Sequence, residues 1–351
     1  MRSPTPCTTS DLGGRGSPCM GPSSVERVTG IEPAPSAWKA EALPLSYTRR
    51  SPQITTGSTG RSVVASALAL GARGPGFESR RPDKVISVSR FQKIIWDNYE
   101  KSGRAMPWRG ERDPYKVLVS EVMLQQTQVS RVIPKYIEFV KRFSNIKTLA
   151  NASLGDVLKM WSGLGYNRRA RFLHQLAKKL EQEYKGKIPC EARILETLPG
   201  LGKATAGSVS TFAYNIPNIF IETNIRRVFI HFYFPNSEKV SDKDILPFID
   251  RTLDMENPRE WYYALMDYGA KLKTQENPNR RSKHYARQSV FKGSNREVRG
   301  AILKNMSTKK IAVSSLRKRV GFAEKRFTHA LQSLIDEGFI TKVGNTVQYS
   351  Q

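Results

Sequence analysis

The chain has little that can hold a metal. Of its 351 residues three are cysteine (Cys7, Cys19, Cys190) and four are histidine (His174, His231, His284, His329), scattered along the sequence. Neither type falls into a metal-ligand spacing, so a metal site is not expected. So few cysteines form no plausible disulfide framework and suit a reducing cytoplasm. No run is long and apolar enough to span a membrane as a helix. Acid is scarce too: 31 Asp and Glu face 57 Lys and Arg, a formal charge of +26. Such an excess points to a polyanionic partner, most often nucleic acid.

The first 84 residues hold 11 basic and 6 acidic residues, leaving 46 against 25 for the remainder. The basic character therefore belongs to the rest of the chain. Residues 1–84 are dense in Pro, Gly, Ser and Arg, lack a sustained period and read as disordered. Six acids and many prolines argue against an organelle transit peptide. The segment VTGIEPAPSAWKAEALPLSYTRR resembles the spurious extensions that arise when a start codon is placed inside non-coding DNA near transfer-RNA genes, so the native chain is expected to begin near Val85.

From residue 86 the helical period takes over. Phe91, Ile94, Ile95 and Tyr99 share a face, and MPWRGERDPY follows as a broken loop with an exposed-looking Trp108. Then comes DPYKVLVSEVMLQQTQV, Asp113–Val129, an apolar helix pattern with one acid, Glu121, among Val119, Val122, Met123 and Leu124. An acid held on an apolar face titrates high and can act as a general acid. The plainer reading, a solvent-facing Glu, is the commoner fate of an isolated acid. Further helices are expected over Val132–Phe143 and Ser153–Ser162, the second with a good N-cap. GLGYNRRARFLHQLAKKLEQEY places Tyr166 on a glycine-flanked turn beside Arg168, Arg169 and Arg171. That pairing fits nucleic acid as well as a solvated helix end.

In EARILETLPGLGKATAGSVSTF a tight Gly-x-Gly turn joins two helices. Free N–H groups at the start of the second suit a phosphate, as in a helix-hairpin-helix that grips DNA without reading bases. Glu222 and Asn224 follow between apolar runs, ahead of Arg226 and Arg227. A helix over Trp261–Leu272 carries Asp267, and Thr274–Phe291 is strongly basic, with Arg280, Arg281, Lys283 and Arg287. A boundary is expected at Lys292–Asn295. Beyond it, helical patterns at Glu297–Met306, Val313–Val320 and Glu324–Glu337 and a hairpin at Gly344-Asn345 read as a small winged helix, residues 296–351. Its third helix would offer Lys325, Arg326 and His329 to DNA; a packing or dimerisation domain is the alternative.

SEVMLQQTQV, GLGYNRRARFLH and LPGLGKATAG, in this order and spacing, resemble the helix-hairpin-helix base-excision DNA glycosylases, and among them the adenine DNA glycosylases of the MutY type. The resemblance covers about Phe91–Arg281. It implies an all-α, two-domain fold over 85–292, with a six-helix subdomain at about 115–213 and a second built from 85–114 and 214–292. It also implies the roles. Glu121 would protonate a flipped adenine, and Glu222 would stand where the family has its second catalytic carboxylate, an Asp. Gln126 would be the wedge in the duplex and Tyr166 would stack near the opposite base. Trp108, Arg109 and Asp267 would surround the adenine pocket. Arg168, Gly200, Gly202, Lys203, Thr205 and Asn224 would meet DNA. Ala204 stands where an imine-forming glycosylase needs a lysine, so a monofunctional enzyme is expected.

Two departures stand out. The four cysteines that hold an iron–sulfur cluster in most relatives are absent, so no cofactor is expected. The family's C-terminal domain for sensing oxidised guanine is also missing, which leaves open adenine opposite guanine or 8-oxoguanine. The expected partner is double-stranded DNA with mispaired adenine, bound by a cytoplasmic, nucleoid-associated monomer. Rival readings are a thymine or uracil mismatch glycosylase and a non-catalytic winged-helix regulator.

Overall fold

The computed structural model describes residues 86–286, 288–306 and 309–350. The expectations for residues 1–84 and for Arg287 lie outside the described residues. Fourteen helices and three short strands make up the described part. No helix in it is long and apolar enough to cross a membrane.

The chain enters through α1 (Val88–Ser102), capped by the Ser87 side chain, which accepts from Arg90 N. After a loop, Asp113 caps α2 (Pro114–Leu124), and Pro114 sits in its first turn, where a missing N–H is harmless. Then follow α3 (Val129–Arg142), the short α4 (Ile146–Ala150), α5 (Leu154–Trp161), α6 (Arg168–Tyr184), the short α7 (Ala192–Glu196) and α8 (Lys203–Tyr214). Leu118, Val119, Val122 and Met123 of α2 share one core with α3–α8. The remaining helices, α9 (Thr223–Tyr233), α10 (Asp242–Thr252) and α11 (Pro258–Gln275), form a second core with α1. Val117 of α2 and Phe212 of α8 belong to that second core. Thus α2 and α8 run along the seam between the cores, which places Glu121 there.

The helix expected to reach Val129 stops at Leu124. A buried arginine, Arg169, takes its last carbonyls, so the chain turns at 125–128. Cys190 departs from the expectation of no disulfide: it is disulfide-bonded.

Past residue 292 come α12 (Asn295–Asn305), β1 (Ile311–Ala312), α13 (Val313–Val320), α14 (Glu324–Asp336), β2 (Ile340–Val343) and β3 (Thr346–Tyr349). The strands form an antiparallel sheet in the order β1-β3-β2, with Ile340 opposite Tyr349 and Ile311 opposite Val347. At two residues, β1 is too short to leave a period in the sequence. This unit is not a tethered appendage, because its buried residues join the first core. Tyr349 packs on Gly155 of α5 so closely that a Cβ there would lie 2.6 Å from the ring. Glu337 accepts from Arg299 of α12 at 2.6 Å and pairs with Arg168 of α6 at 3.1 Å. Burying an aromatic such as Phe339, fully enclosed at this junction, contributes about 1.5–3 kcal/mol.

Candidate active site

Three backbone features converge around the end of α2. The first is the LPGLG hairpin between α7 and α8. Gly200 has φ of +81°, and a Cβ there would also lie 2.7 Å from Phe172 Cβ, so glycine is required on both counts. Gly202 precedes α8 as an N-cap with no side-chain hydrogen bond. The first N–H groups of α8 are therefore left for water or a ligand, beside the exposed Lys203. Gln125 ties the hairpin to α2, its Nε2 donating to Thr205 Oγ1 at 3.0 Å.

The second and third features are turns carrying non-glycine residues at positive φ: Gln126 at +53° and Tyr166 at +49°. Both side chains are exposed, Tyr166 to 37 %. One guanidinium serves both turns. Arg169, 8 % exposed, donates through Nη1 to the carbonyls of Val122 (2.9 Å), Met123 (2.7 Å) and Gln125 (2.6 Å). Its Nη2 donates to Thr127 Oγ1 at 2.8 Å and to Gly165 O at 3.2 Å. It also lies over the Tyr166 ring at 5.5 Å. Arg168, by contrast, is ion-paired with Glu337, and Arg171 lies over Phe339. Of the three arginines in this turn, the sequence singled out Arg168 for DNA; the one that shapes the site is Arg169.

Glu121 and Glu222 face each other in electrostatic terms across the seam. Burial pushes the Glu121 carboxyl up to about 7; a hydrogen bond from Ser208 Oγ at 2.6 Å opposes this, and the charge of Glu222 adds to it. The residue keeps some surface open to solvent although the carboxyl itself is enclosed. Burial raises Glu222 as well, and the net direction stays upward although four groups favour its charged form. It is the N-cap of α9, accepting from Asn224 N at 2.7 Å and Ile225 N at 2.9 Å. Asn224 Nδ2 approaches Glu222 at 3.3 Å, and Arg227 adds positive charge. The two acids thus differ in what surrounds them: one polar donor for Glu121, a helix N-terminus and a cation for Glu222.

The Glu222 turn is held from behind. Arg227 Nη1 donates to Asn224 Oδ1 at 2.7 Å and to Gly269 O at 2.6 Å. Asn279, in the 3₁₀ turn Pro278–Arg281, donates to Thr223 O at 2.8 Å. Helix α11 passes so near that a Cβ on Gly269 would lie 2.3 Å from Asn224 O.

The expected base-pocket residues fare differently. Trp108, expected exposed, is 4 % exposed and packs edge-on against Tyr136 in the first core. Asp267, also 4 % exposed, is consumed by two arginines. It accepts from Arg109 Nη1 and Nη2, both at 2.6 Å, and from Arg104 Nε at 2.6 Å. Burial alone would raise its carboxyl; the arginines hold it low. Arg109 in turn lies over the Tyr263 ring at 4.8 Å. Asp267 therefore orients Arg109 and leaves no oxygen facing a ligand unpartnered.

The chain matches the model of the HhH-GPD superfamily of base excision DNA repair proteins over residues 119–246. That span holds the hairpin, both strained turns and both acids. An adenine DNA glycosylase of Buchnera aphidicola (subsp. Baizongia pistaciae) is 40 % identical over 190 residues, covering 54 % of this chain and 54 % of the relative. One from Mycobacterium tuberculosis is 31 % identical over 278 residues, covering 73 % of this chain and 91 % of the relative. The chain belongs to the adenine DNA glycosylase family. It spans about half the length of the curated relatives it first matches. A solved thermostable thymine-DNA glycosylase aligns at 23 % identity with a TM-score of 0.49, over 54 % of this chain and 89 % of that one.

Some members of the adenine DNA glycosylase family hold an iron–sulfur cluster, and the residues of this chain can be compared with what such a group needs. No cysteine follows Cys190, and among the described residues no group of three or more His, Cys, Asp or Glu can hold a metal. The residues after α11 are instead pinned by protein contacts: Arg281 donates to Pro235 O at 2.6 Å and to Phe234 O. Lys283 N donates to Val240 O at 2.9 Å. Those residues do not fit a cluster, which needs thiolates. Sequence reading missed Arg169, Gln125 and Ser208 as site residues. The Arg-rich helix start marked Arg169 only as one cation among three, and Ser208 reaches Glu121 across 87 positions, a distance no local pattern spans.

Proposed function

We propose that the chain excises adenine mispaired with guanine or 8-oxoguanine from duplex DNA, as a monofunctional glycosylase. The observation that carries this reading is the pair of acids in unlike surroundings. The N-glycosidic bond of adenine breaks slowly because the leaving base is anionic unless protonated. Glu121, raised to about 7, supplies the proton at neutral pH. Glu222, the N-cap of α9, is the carboxylate that steadies the cationic sugar, its charged form favoured by two backbone N–H groups and by Arg227. Two acids in unlike surroundings can divide such work between them. Adenine departs with the proton from Glu121, and water then adds to the cationic sugar carbon and releases one proton to solvent, leaving a hydroxyl on the sugar. The base must first leave the stack; Gln126 and Tyr166, exposed on their strained turns, are placed to enter the duplex. The hairpin at Gly200–Lys203 takes a phosphate. Ala204 offers no amine, so no strand cleavage follows, and the reaction needs no cluster.

Duplexes with adenine opposite 8-oxoguanine, adenine opposite guanine, and thymine opposite guanine test this after alkali treatment. Breaks at adenine support the reading, breaks only at thymine favour the thymine or uracil glycosylase, and tight binding without breaks favours a regulator. The pH profile adds a second check. Glu121 is protonated below its raised pKa and ionised above it, so single-turnover excision is expected to fall as pH rises through about 7. A rate flat from pH 6 to 9 would remove Glu121 from the role.

The C-terminal unit serves, in the same reading, as a winged helix that adds phosphate contacts. Lys325, Arg326 and His329 are exposed on α14, and Lys342 stands on β2. Because this unit shares the body's core, charge reversal is a cleaner test than truncation. Lys325→Glu with Arg326→Glu should weaken binding and make the slope of log affinity against log salt shallower by about 2. An unchanged slope would leave the domain as packing alone.

A further inference from the structure

Ser208 lies on α8, three residues beyond Thr205 and 4 % exposed. Its hydroxyl has one hydrogen and two acceptors within reach: Glu121 Oε2 at 2.6 Å and Thr205 O at 3.1 Å. Among the described residues no other group donates to the Glu121 carboxyl. The charged group that acts on it is Glu222 at the start of α9, and Glu121 in turn raises the phenol of Tyr263 on α11. Over that ring lies the Arg109 guanidinium from the loop before α2, and Arg259 and Glu260 also act on Tyr263. A carboxyl has two oxygens, and a general acid works only if its proton sits on the one that faces the substrate.

We propose that Ser208 is a positioning residue for proton delivery, one that engages Oε2 of Glu121 and thereby leaves Oε1 as the oxygen that carries the proton to the base. The proposal rests on the adenine-excision reading. The hydroxyl keeps donating to Oε2 in both states of the acid. With Glu121 protonated at Oε1, Oε2 is the carbonyl-like oxygen and accepts from Ser208. As the O–H bond at Oε1 breaks and the base takes the proton, negative charge spreads to Oε2 and the same hydrogen bond strengthens, since bonds to ionised acceptors are the stronger kind. Ser208 thus favours the product of the transfer over its reactant, which is the requirement for speeding a step. Thr205 O gives the hydrogen a resting acceptor when the carboxyl swings away, so the hydroxyl is never orphaned.

The test is a graded series read in two ways. Ser208→Ala removes the donor without adding volume, and Ser208→Cys keeps the size with a weaker donor. Single-turnover excision is followed from pH 5 to 10. Separately, the Glu121 carboxyl is titrated directly by carbon-13 NMR, with Glu121→Gln used to assign its signal. The hydrogen bond favours the ionised form, so its loss should move the alkaline limb and the carboxyl midpoint upward by about one pH unit in Ser208→Ala. The rate on the acid plateau should fall by roughly threefold to tenfold, and Ser208→Cys should fall between. A purely structural role would lower the melting temperature and scale the rate at every pH without moving either midpoint; that result would overturn the proposal. Should the wild-type protein excise no adenine, the carboxyl titration still decides: a shifted midpoint upholds the hydrogen-bonded role of Ser208 and rejects the excision reading, and an unmoved one rejects both.

Discussion

Glu121→Gln is expected to abolish adenine excision while leaving duplex binding within about twofold of wild type. The amide matches the carboxyl in shape, so the contact between α2 and α8 is kept and Ser208 still has an acceptor. What disappears is the transferable proton. General acid catalysis contributes typically 10²–10⁴-fold, so the loss should be at least about a hundredfold. Single-turnover kinetics with a gel-shift titration separate the two effects. A variant within about tenfold of the wild-type rate would end the case for Glu121. Stability offers an independent sign. An acid whose folded pKa is raised binds its proton more tightly in the folded state, so it destabilises the fold as pH rises from the ordinary carboxylate value through about 7. Glutamine has no such cost. The variant should therefore melt higher than wild type at pH 8 and at the same temperature near pH 4. An active-site acid that the fold tolerates only at a loss is a common trade of stability for function.

How much of this was readable beforehand depends on range. The hairpin was legible because everything it needs is local: Pro199, Gly200 and Gly202 in five consecutive residues, and a helix on each side. Glu121 was legible because an acid stood alone in an apolar run, and the helix pattern of α2 put it on the buried face. The end of α2 was not. Nothing near Leu124 stops a helix; a guanidinium from 44 to 47 positions away does. Trp108 was misjudged for a related reason. Its loop is broken by Pro107 and Gly110, which signals exposure, but Tyr136 on α3 closes over the indole. Asp267, expected beside the base pocket with Arg109, stands against that arginine and holds it. Position in a motif marks where a residue stands; only the partners around it say what it does there.

Arg169 shows how far that distinction matters, and Arg169→Lys should have the second largest effect. The guanidinium offers five donors in a flat fork, and the fold uses two of its nitrogens on five acceptors: three carbonyls at the end of α2, the Thr127 hydroxyl, and the Gly165 carbonyl. Those acceptors flank Gln126 and Tyr166, both in the left-handed region, which costs a non-glycine residue of order 1 kcal/mol or more and persists only when surroundings enforce it. A lysine carries three donors on one nitrogen and cannot span both turns at once. Each carbonyl left unsatisfied and enclosed costs about 1–3 kcal/mol, so a net loss of roughly 3 kcal/mol is expected, read as a lower urea midpoint at unchanged slope. The functional loss should exceed what unfolding explains. With the clamp gone, Gln126 and Tyr166 relax toward ordinary backbone and, in the proposed reading, no longer reach the duplex together. Misplacement by about 1 Å can cost 10²-fold. Excision measured well below the melting temperature should therefore drop by at least about tenfold. A 2-aminopurine placed at the target position should lose the fluorescence rise that marks base flipping. A variant that keeps the wild-type midpoint and the fluorescence rise would show that the two turns hold their shape without the arginine.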